Sequence, residues 1–599
     1  MSTNGFGRWW GPVFEAERVT RARRWQGYAL RSLFVLALLL GLVLVGRQAT
    51  ARIGVVTVRE LASIGGSLAS ILIILELVAA LLIAPATTAG AICLDRGRGS
   101  LAHLFVTDLT DREIILGKLA ARLLPTWGLL ACAFPVAALA IMLGGIDPVA
   151  LAGAFLVILS VAFLGCTFAL MLSVWAGKPH EVISAVYAAW ALWLLDWPVF
   201  EIITGAGRAP AAIEWTHPFF LALGHQNHPG ESFTVPTLLF SLACLGAGSI
   251  CTAVAIRRVR VVARRSPRVR ARAPGSLRRA FARLAARVPR RRGPGLDANP
   301  VLWREWHRNR PPAWSRRIWL GFEGISAVTG VYLIAEAVTT PPTGSSEAPS
   351  LLLAGLAVFG LLLIAAAVAG VLAEERAQGS LDVLLAAPVS TRTILGAKWR
   401  GAYRRVPRLV FWPAAVGLVY AVARPTSGSA LGIFLAVPTL ILAQGAALVS
   451  LGLALATWIR RPGQATAWTV AALVGSVVGW IILGVACRPA MTIAVAPEDR
   501  FQLGRVVREY FLFMGSPFWN VGMPLSLATR GSGPSGEQPG VLTLMIAWTI
   551  FYAAAAWGLF ELTARTFDRC LGRAPERPRR PRVEPARSRT GQRLGLENS

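Results

Sequence analysis

The stretch EERAQGSLDVLLAAPVSTRTILGAK, Glu374 to Lys398, lies between the apolar run Leu351–Ala373 and another beginning near Val406. Its charged start (Glu374, Glu375, Arg376) leads into a segment with Leu381, Leu384 and Leu385. Spacings of i, i+3 and i+4 fall on one side of a helical turn, so these three leucines form one face of a short helix. Pro388 and Ser390 end that helix and start the next, which carries Ile394 and Lys398 into the following apolar run. A second copy of the pattern lies 280 positions earlier. Without a gap, Arg96/Arg376, Gly99/Gly379, Ser100/Ser380, Leu101/Leu381, Leu104/Leu384, Arg112/Arg392, Ile114/Ile394 and Lys118/Lys398 coincide. Asp95 opens the first copy, and Phe105 stands where the second has Leu385. The chain reads as a tandem duplication.

Composition bounds what such a duplication can be. Of 599 residues, 55% are hydrophobic and only 15% charged, which points to a polytopic all-α membrane protein. Seven cysteines are scattered without a C-x-x-C pair, so neither a disulfide framework nor a zinc site is indicated. The first apolar run lacks a small-residue cleavage site and reads as a retained span.

Residues 7–27 mix Trp9, Trp10, Phe14 and Trp25 with Arg and Glu, as expected for an amphipathic helix in the headgroup region. Spans are expected at Ala29–Gly46, Ile64–Ala84, Ala120–Leu143, Ala150–Val174, Val182–Ile203 and Pro236–Ile256. The linker Arg257–Asp297 holds fifteen Arg and almost no acid, which places it in the cytoplasm. Such a run also suits nucleic acid, but a topology signal is the stronger reading; Leu277–Val288 suits a basic surface helix. Asn299-Pro300-Val301-Leu302-Trp303-Arg304-Glu305 then answers Gly11-Pro12-Val13-Phe14-Glu15-Ala16-Glu17 in character. Further spans follow at Trp319–Val338, Leu351–Ala373, Val406–Ala423, Leu431–Trp458, Ala465–Ala486 and Val541–Glu561. The plan is therefore 1–256, a six-span half; 257–298, a linker; 299–564, a second six-span half; and 565–599, a basic tail without fixed structure. Six spans per half put the N-terminus, linker and tail on one side, the cytoplasmic one.

Smaller signals fill in the plan. Thr110-x-x-Glu113 fits a capping box at the start of the third span; in the second copy Ser390 caps, but Thr393 replaces the acid. Lys118 and Lys398, at the loop exit, are placed to snorkel to the interface. His217-Pro218-Phe219-Phe220 and Ser516-Pro517-Phe518-Trp519 precede the last span of each half, as ordinary turns or as segments that dip into the membrane. Of the acids within spans, Asp196, Glu201, Glu323 and Glu336 lie near span ends, whereas Glu76 is central. A mid-membrane acid is costly, so Glu76 is the candidate intramembrane polar site. His225 and His228 in an outer loop read as solvated residues, and no metal site is expected. No G-x-x-x-x-G-K-[ST], H-E-x-x-H or G-x-S-x-G stretch appears, so no catalytic residues are assigned.

An acidic end followed by Arg, then Gly-Ser-Leu, Leu-Leu, Pro-Val-Ser, Ile and Lys, resembles the cytoplasmic loop of ABC-2 type exporter permeases. The Asn-Pro-Val-Leu-Trp-Arg-Glu opening is similar to that family's amphipathic connecting helix, and the Pro-aromatic segments to its outer re-entrant segment. The resemblance covers both halves and implies two fused permease halves in a bacterial inner membrane. It implies coupling helices that dock on separate ABC ATPase subunits, which carry the ATP and Mg; no cofactor is expected on this chain. The implied partner contacts are Gly99–Phe105 and Gly379–Leu385, backed by Asp95, Arg96, Glu374, Glu375 and Arg376. The first copy has Leu94 and Asp108 where the second has Glu374 and Pro388, so the two sites are not expected to be equivalent. Lipids are expected partners, a second permease chain is left open, and nucleic acid is not expected. The rival is a major-facilitator-like secondary transporter, because Asp95-Arg96-Gly97-Arg98 is similar to that family's turn; yet the loop is too long and the second half lacks the motif. A non-transporting membrane scaffold is the third class. On the favoured reading, Leu381→Asp leaves membrane insertion intact and uncouples transport from ATP hydrolysis, checked by a transport assay.

Overall fold

The computed structural model of the chain describes residues 7–22, 25–50, 57–97, 99–144, 146–194, 210–227, 232–264, 299–307, 313–339, 348–377, 380–423, 430–459, 462–493, 510–529 and 537–572. Most of the Arg-rich linker (265–298, with the Leu277–Val288 stretch) and of the tail (573–599) lies outside these residues, as do Asp196, Glu201, His228 and Gly379. Among the described residues every regular element is a helix.

In the first part of the chain these are α1 Gly7–Ala22, α2 Trp25–Thr50, α3 Val58–Thr88, α4 Cys93–Gly97, α5 Ser100–Val106, α6 Asp111–Leu130, α7 Phe134–Met142, α8 Pro148–Trp175, α9 Pro179–Leu194, α10 Ala211–Glu214, α11 Pro218–Asn227 and α12 Thr234–Arg264. In the second they are α13 Pro300–His307, α14 Ala313–Thr339, α15 Ala348–Ala377, α16 Ser380–Ala386, α17 Thr391–Tyr403, α18 Val406–Ala423, α19 Ala430–Trp458, α20 Pro462–Ile493, α21 Trp519–Thr529 and α22 Glu537–Leu571.

Local chemistry sets the helix starts. Asp147 accepts a hydrogen bond from the Val149 amide at 3.1 Å while Pro148 takes the first helical position, so α8 begins where two orphan donors are already dealt with. The expected capping box opens α6. Glu113 accepts from the Thr110 amide at 2.8 Å, and Thr110 Oγ1 accepts from the Glu113 amide at 3.3 Å. Ser390 caps α17 through the Thr393 amide at 3.3 Å.

Nine helical stretches among the described residues, from Ile64–Gly97 to Gly540–Leu571, are long and apolar enough to cross a membrane. The chain is an all-α polytopic membrane protein. The expected first span falls on α2, through its apolar stretch Gly27–Val43. The expected fifth span of the first half begins on α9 and runs on into residues outside the described set; its counterpart falls on α20.

Within each part, the spans before and after the short helices pack on the long fourth span, α3 on α8 and α15 on α19. The last span lies against that same helix, α12 on α8 and α22 on α19. Between the parts the contacts cross over: α9 packs on α14 and α15, and α20 packs on α2 and α3. The two Pro-aromatic segments do not stand off as loops. Pro218 starts α11, which rests on α3 and α8, and the α21 helix rests on α15.

Close approach makes one glycine specific. A Cβ at Gly65 on α3 would stand 2.0 Å from the Gly144 carbonyl oxygen, a backbone atom with no side-chain freedom to yield. Gly65→Ala is expected to cost about 1–3 kcal/mol by overpacking, read as a lower melting temperature in detergent; an unchanged melting curve would show that α3 and α7 sit farther apart.

Candidate functional site

The residues singled out by the repeated loops converge beneath the two short helices α5 and α16. The loop-exit lysines do not snorkel. Lys118 is 3% exposed and Lys398 1%, and both turn into the protein. Lys118 Nζ meets Glu17 Oε1 at 2.8 Å and Asp95 Oδ2 at 2.5 Å. Lys398 Nζ meets Glu305 Oε1, and Glu375 Oε1 at 2.5 Å. In both places one ammonium ties together the amphipathic helix (α1 or α13), the end of the second span and the start of the third. The inward turn has a simple cause: two carboxylates lie on the inner side, and leaving them buried without the lysine would strand uncompensated charge.

Each lysine hub is completed by a guanidinium, but from a different element. Arg122 on α6 reaches Glu17 Oε2 at 3.2 Å, whereas in the second hub Arg304 on α13 stands 4.0 Å from Glu375. Among the described ion pairs, each hub thus sets two cations against two anions. Burial pushes the Glu17 carboxyl up, but Arg122 and Lys118 outweigh it and hold Glu17 below the ordinary carboxylate range. Its stabilisation is thus present above that range and is lost as pH falls through the depressed value.

The arginine after each acid has a second task. Arg96 donates to the Val174 carbonyl at 2.6 Å and to the Ala176 carbonyl, closing the C-terminal end of α8. Arg376 donates to Thr457 O at 3.2 Å and to Cys570 O at 3.1 Å, closing α19 and α22 together. A guanidinium suits this place because it satisfies orphan carbonyls and faces the negative end of the helix dipole. Ser173 Oγ accepts from the Ile92 and Cys93 amides, both at 3.1 Å, and so fixes the turn into α4.

The short helices sit on these anchors. Gly99, with φ of 77°, takes the left-handed turn before α5, and Ser100 Oγ donates to Asp95 O at 3.2 Å. Leu101 and Leu381 are buried in their own chain, and Leu104, Phe105, Leu384 and Leu385 are half-buried against it. The apolar face expected from the spacing is real, but it points inward. Val106 (87% exposed) and Val383 (76%) face out, with His103 and Asp382 beside them. The side chains of Glu374 and Ser380, and that of His225 on α11, are outside the described set.

The last span clamps each loop with opposite polarity. Arg260 on α12 pairs with Asp111 at 2.6 Å and lies over the Phe105 ring at 5.5 Å. In the second part, Arg392 of the loop pairs with Glu561 on α22 at 2.9 Å, and Thr391 donates to Asp568 at 2.7 Å.

Glu76 lies fully buried on α3, and neither carboxyl oxygen has a hydrogen-bond partner among the described residues. The position 280 residues later is Leu356. Sequence reasoning missed Glu17, Glu305, Arg122 and Arg260. The available signal was the matching Pro12…Glu17 and Pro300…Glu305 openings.

Lys398→Met would strand Glu305 and Glu375 in a buried place, a loss of about 3–5 kcal/mol. Adding Glu305→Gln and Glu375→Gln is expected to recover most of it. Melting temperatures of the single and triple variants check this; equal losses in both would show that the charges are not coupled.

Family comparison matches residues 261–563, just over half of the chain, to the ABC-2 family transporter protein. No curated protein matches the chain. With a family match over this length, on a bundle of long apolar helices with a repeated anchored loop, the chain belongs to the ABC-2 family of membrane transporter components.

Proposed function

We propose that the chain is the permease of an ATP-driven exporter, built as two fused six-span halves, with ATP and Mg held by separate ATPase subunits. The observation that carries this reading is the outward face of α5 and α16. Each is a short helix with an apolar residue in the open, Val106 or Val383, seated on a base of buried ion pairs. A docking element needs both properties: an unpartnered face to receive the partner, and a rigid mount to pass its motion on. Force applied to α5 would reach α4 through Asp95, α6 through Lys118 and α8 through Arg96. The same route leads from α16 to α15, α17, α19 and α22.

The division into 1–256, 257–298, 299–564 and 565–599, the inner-membrane location and the cytoplasmic termini belong to this proposal. The 280-residue repeat and the Arg-rich linker and tail support it. The crosswise packing of α9 and α20 suits a substrate path between the halves, with Glu76 as its polar point on one side.

Burial of Leu381 moves the test to the exposed positions, because Leu381→Asp would unseat the helix as well as alter its face. Affinity purification in mild detergent is expected to bring down a P-loop ATPase. Val106→Asp or Val383→Asp is expected to weaken its retention at least tenfold at an unchanged melting temperature, since an ionised side chain in an apolar contact costs more than about 1.4 kcal/mol. A clean preparation without an ATPase, active in proton- or sodium-driven uptake, would sink the reading in favour of a secondary transporter.

A further inference from the structure

The junction between α17 and α18 carries Arg400, Arg404, Arg405 and Arg408 within nine residues, a cluster without a counterpart in the first half. The positions 280 residues earlier hold Ala120, Leu124, Pro125 and Gly128. The four arginines gather where the helix turns between Tyr403 and Val406, at the basic end of the bundle. Arg404 and Arg408 stand close enough to Arg405 to repel it, and Arg404 and Arg408 repel each other.

Two of the four lie over aromatic rings. The Arg404 guanidinium lies 5.5 Å over the Trp306 ring, and that of Arg405 lies 5.8 Å over the Trp319 ring. Such stacking orients a guanidinium and leaves its N–H edge available. The nearby carboxylates are committed: Glu305 and Glu375 hold Lys398, and Glu323 holds Arg408 at 3.3 Å. Among the described residues no carboxylate oxygen lies within 4 Å of the Arg400, Arg404 or Arg405 guanidinium, and Glu305, which attracts Arg404 from farther off, is held by Lys398.

We propose that this cluster is a binding site for the phosphate of an anionic phospholipid headgroup. Like charges brought together on a fixed frame need a counter-anion, and arginine with planar N–H edges suits phosphate oxygens. The surface beyond the cluster favours a lipid over a soluble phosphate. Leu320 on α14, next to the Trp319 that carries Arg405, and Phe411 and Leu418 on α18 are exposed and apolar. The α14 and α18 helices pack together, so acyl chains would lie against exposed Leu320, Phe411 and Leu418, beside the Arg408–Glu323 pair, while the headgroup meets Arg400, Arg404 and Arg405. The site belongs to the second half alone and makes the two sides of the bundle unequal toward the membrane.

The test uses the full chain in detergent, titrated with dioctanoyl phosphatidylglycerol, dioctanoyl phosphatidylcholine or inorganic phosphate at matched ionic strength, and read by thermal melting and native mass spectrometry. The expected result is a raised melting temperature and a bound adduct with phosphatidylglycerol alone. Affinity should fall roughly fivefold for each arginine removed in the series Arg400→Gln, Arg404→Gln and Arg405→Gln. Arg257→Gln with Arg258→Gln, exposed arginines near the end of α12, should leave it unchanged. Equal shifts with phosphatidylcholine, or full affinity in the triple variant, would overturn the site. An equal effect of inorganic phosphate would overturn the lipid assignment. If the triple variant does not fold, Arg400→Gln at its exposed position decides alone: unchanged affinity there refutes the proposal.

Discussion

Two buried ammonium groups set the terms for the basic end of this bundle. A lysine kept from water needs carboxylates on it, and Lys118 and Lys398 each draw theirs from two separate elements. An amphipathic helix that could otherwise drift in the interface is thereby bolted to the bundle. The second span cannot turn without breaking the same contact, and the third begins under it. Burial of the pair adds little net stability compared with a well-packed apolar core, but removing one partner is severe. Buried ions of this kind specify an arrangement more than they strengthen it.

The short helices inherit their position from these hubs. Arg96 and Arg376 extend the connection to the ends of the fourth spans, where unsatisfied carbonyls await donors. The last spans close the ring with pairs of reversed sign, Arg260 with Asp111 and Glu561 with Arg392. That reversal, the changed source of the guanidinium in each hub and the arginine cluster at the α17–α18 turn distinguish the two repeated loops from each other. The two loops reach similar anchors with charges from different elements, because charge balance constrains the sum of the charges and not the element that supplies each one.

Periodicity and composition were enough for the elements themselves. Runs of apolar residues long enough to cross a bilayer, the Thr110–Glu113 capping box, Ser390 as a cap and the single apolar face at Leu381, Leu384 and Leu385 depend on neighbours in the chain. The 280-residue correspondence also paired Lys118 with Lys398 before any geometry was known.

Only the tertiary structure decided which way those residues point. A helical stripe specifies a face but not what that face meets, so Leu381, expected as a docking contact, is a buried anchor within its own chain. The lysines read as snorkelling because their partners, Glu17 and Glu305, stand about a hundred positions away on helices with no periodic link to them. The same holds for Arg405, whose aromatic support comes from Trp319 on another span. Local sequence fixes the hydrogen bonds within one turn, whereas the rotation of each helix about its axis follows from the packing and charges of all its neighbours at once.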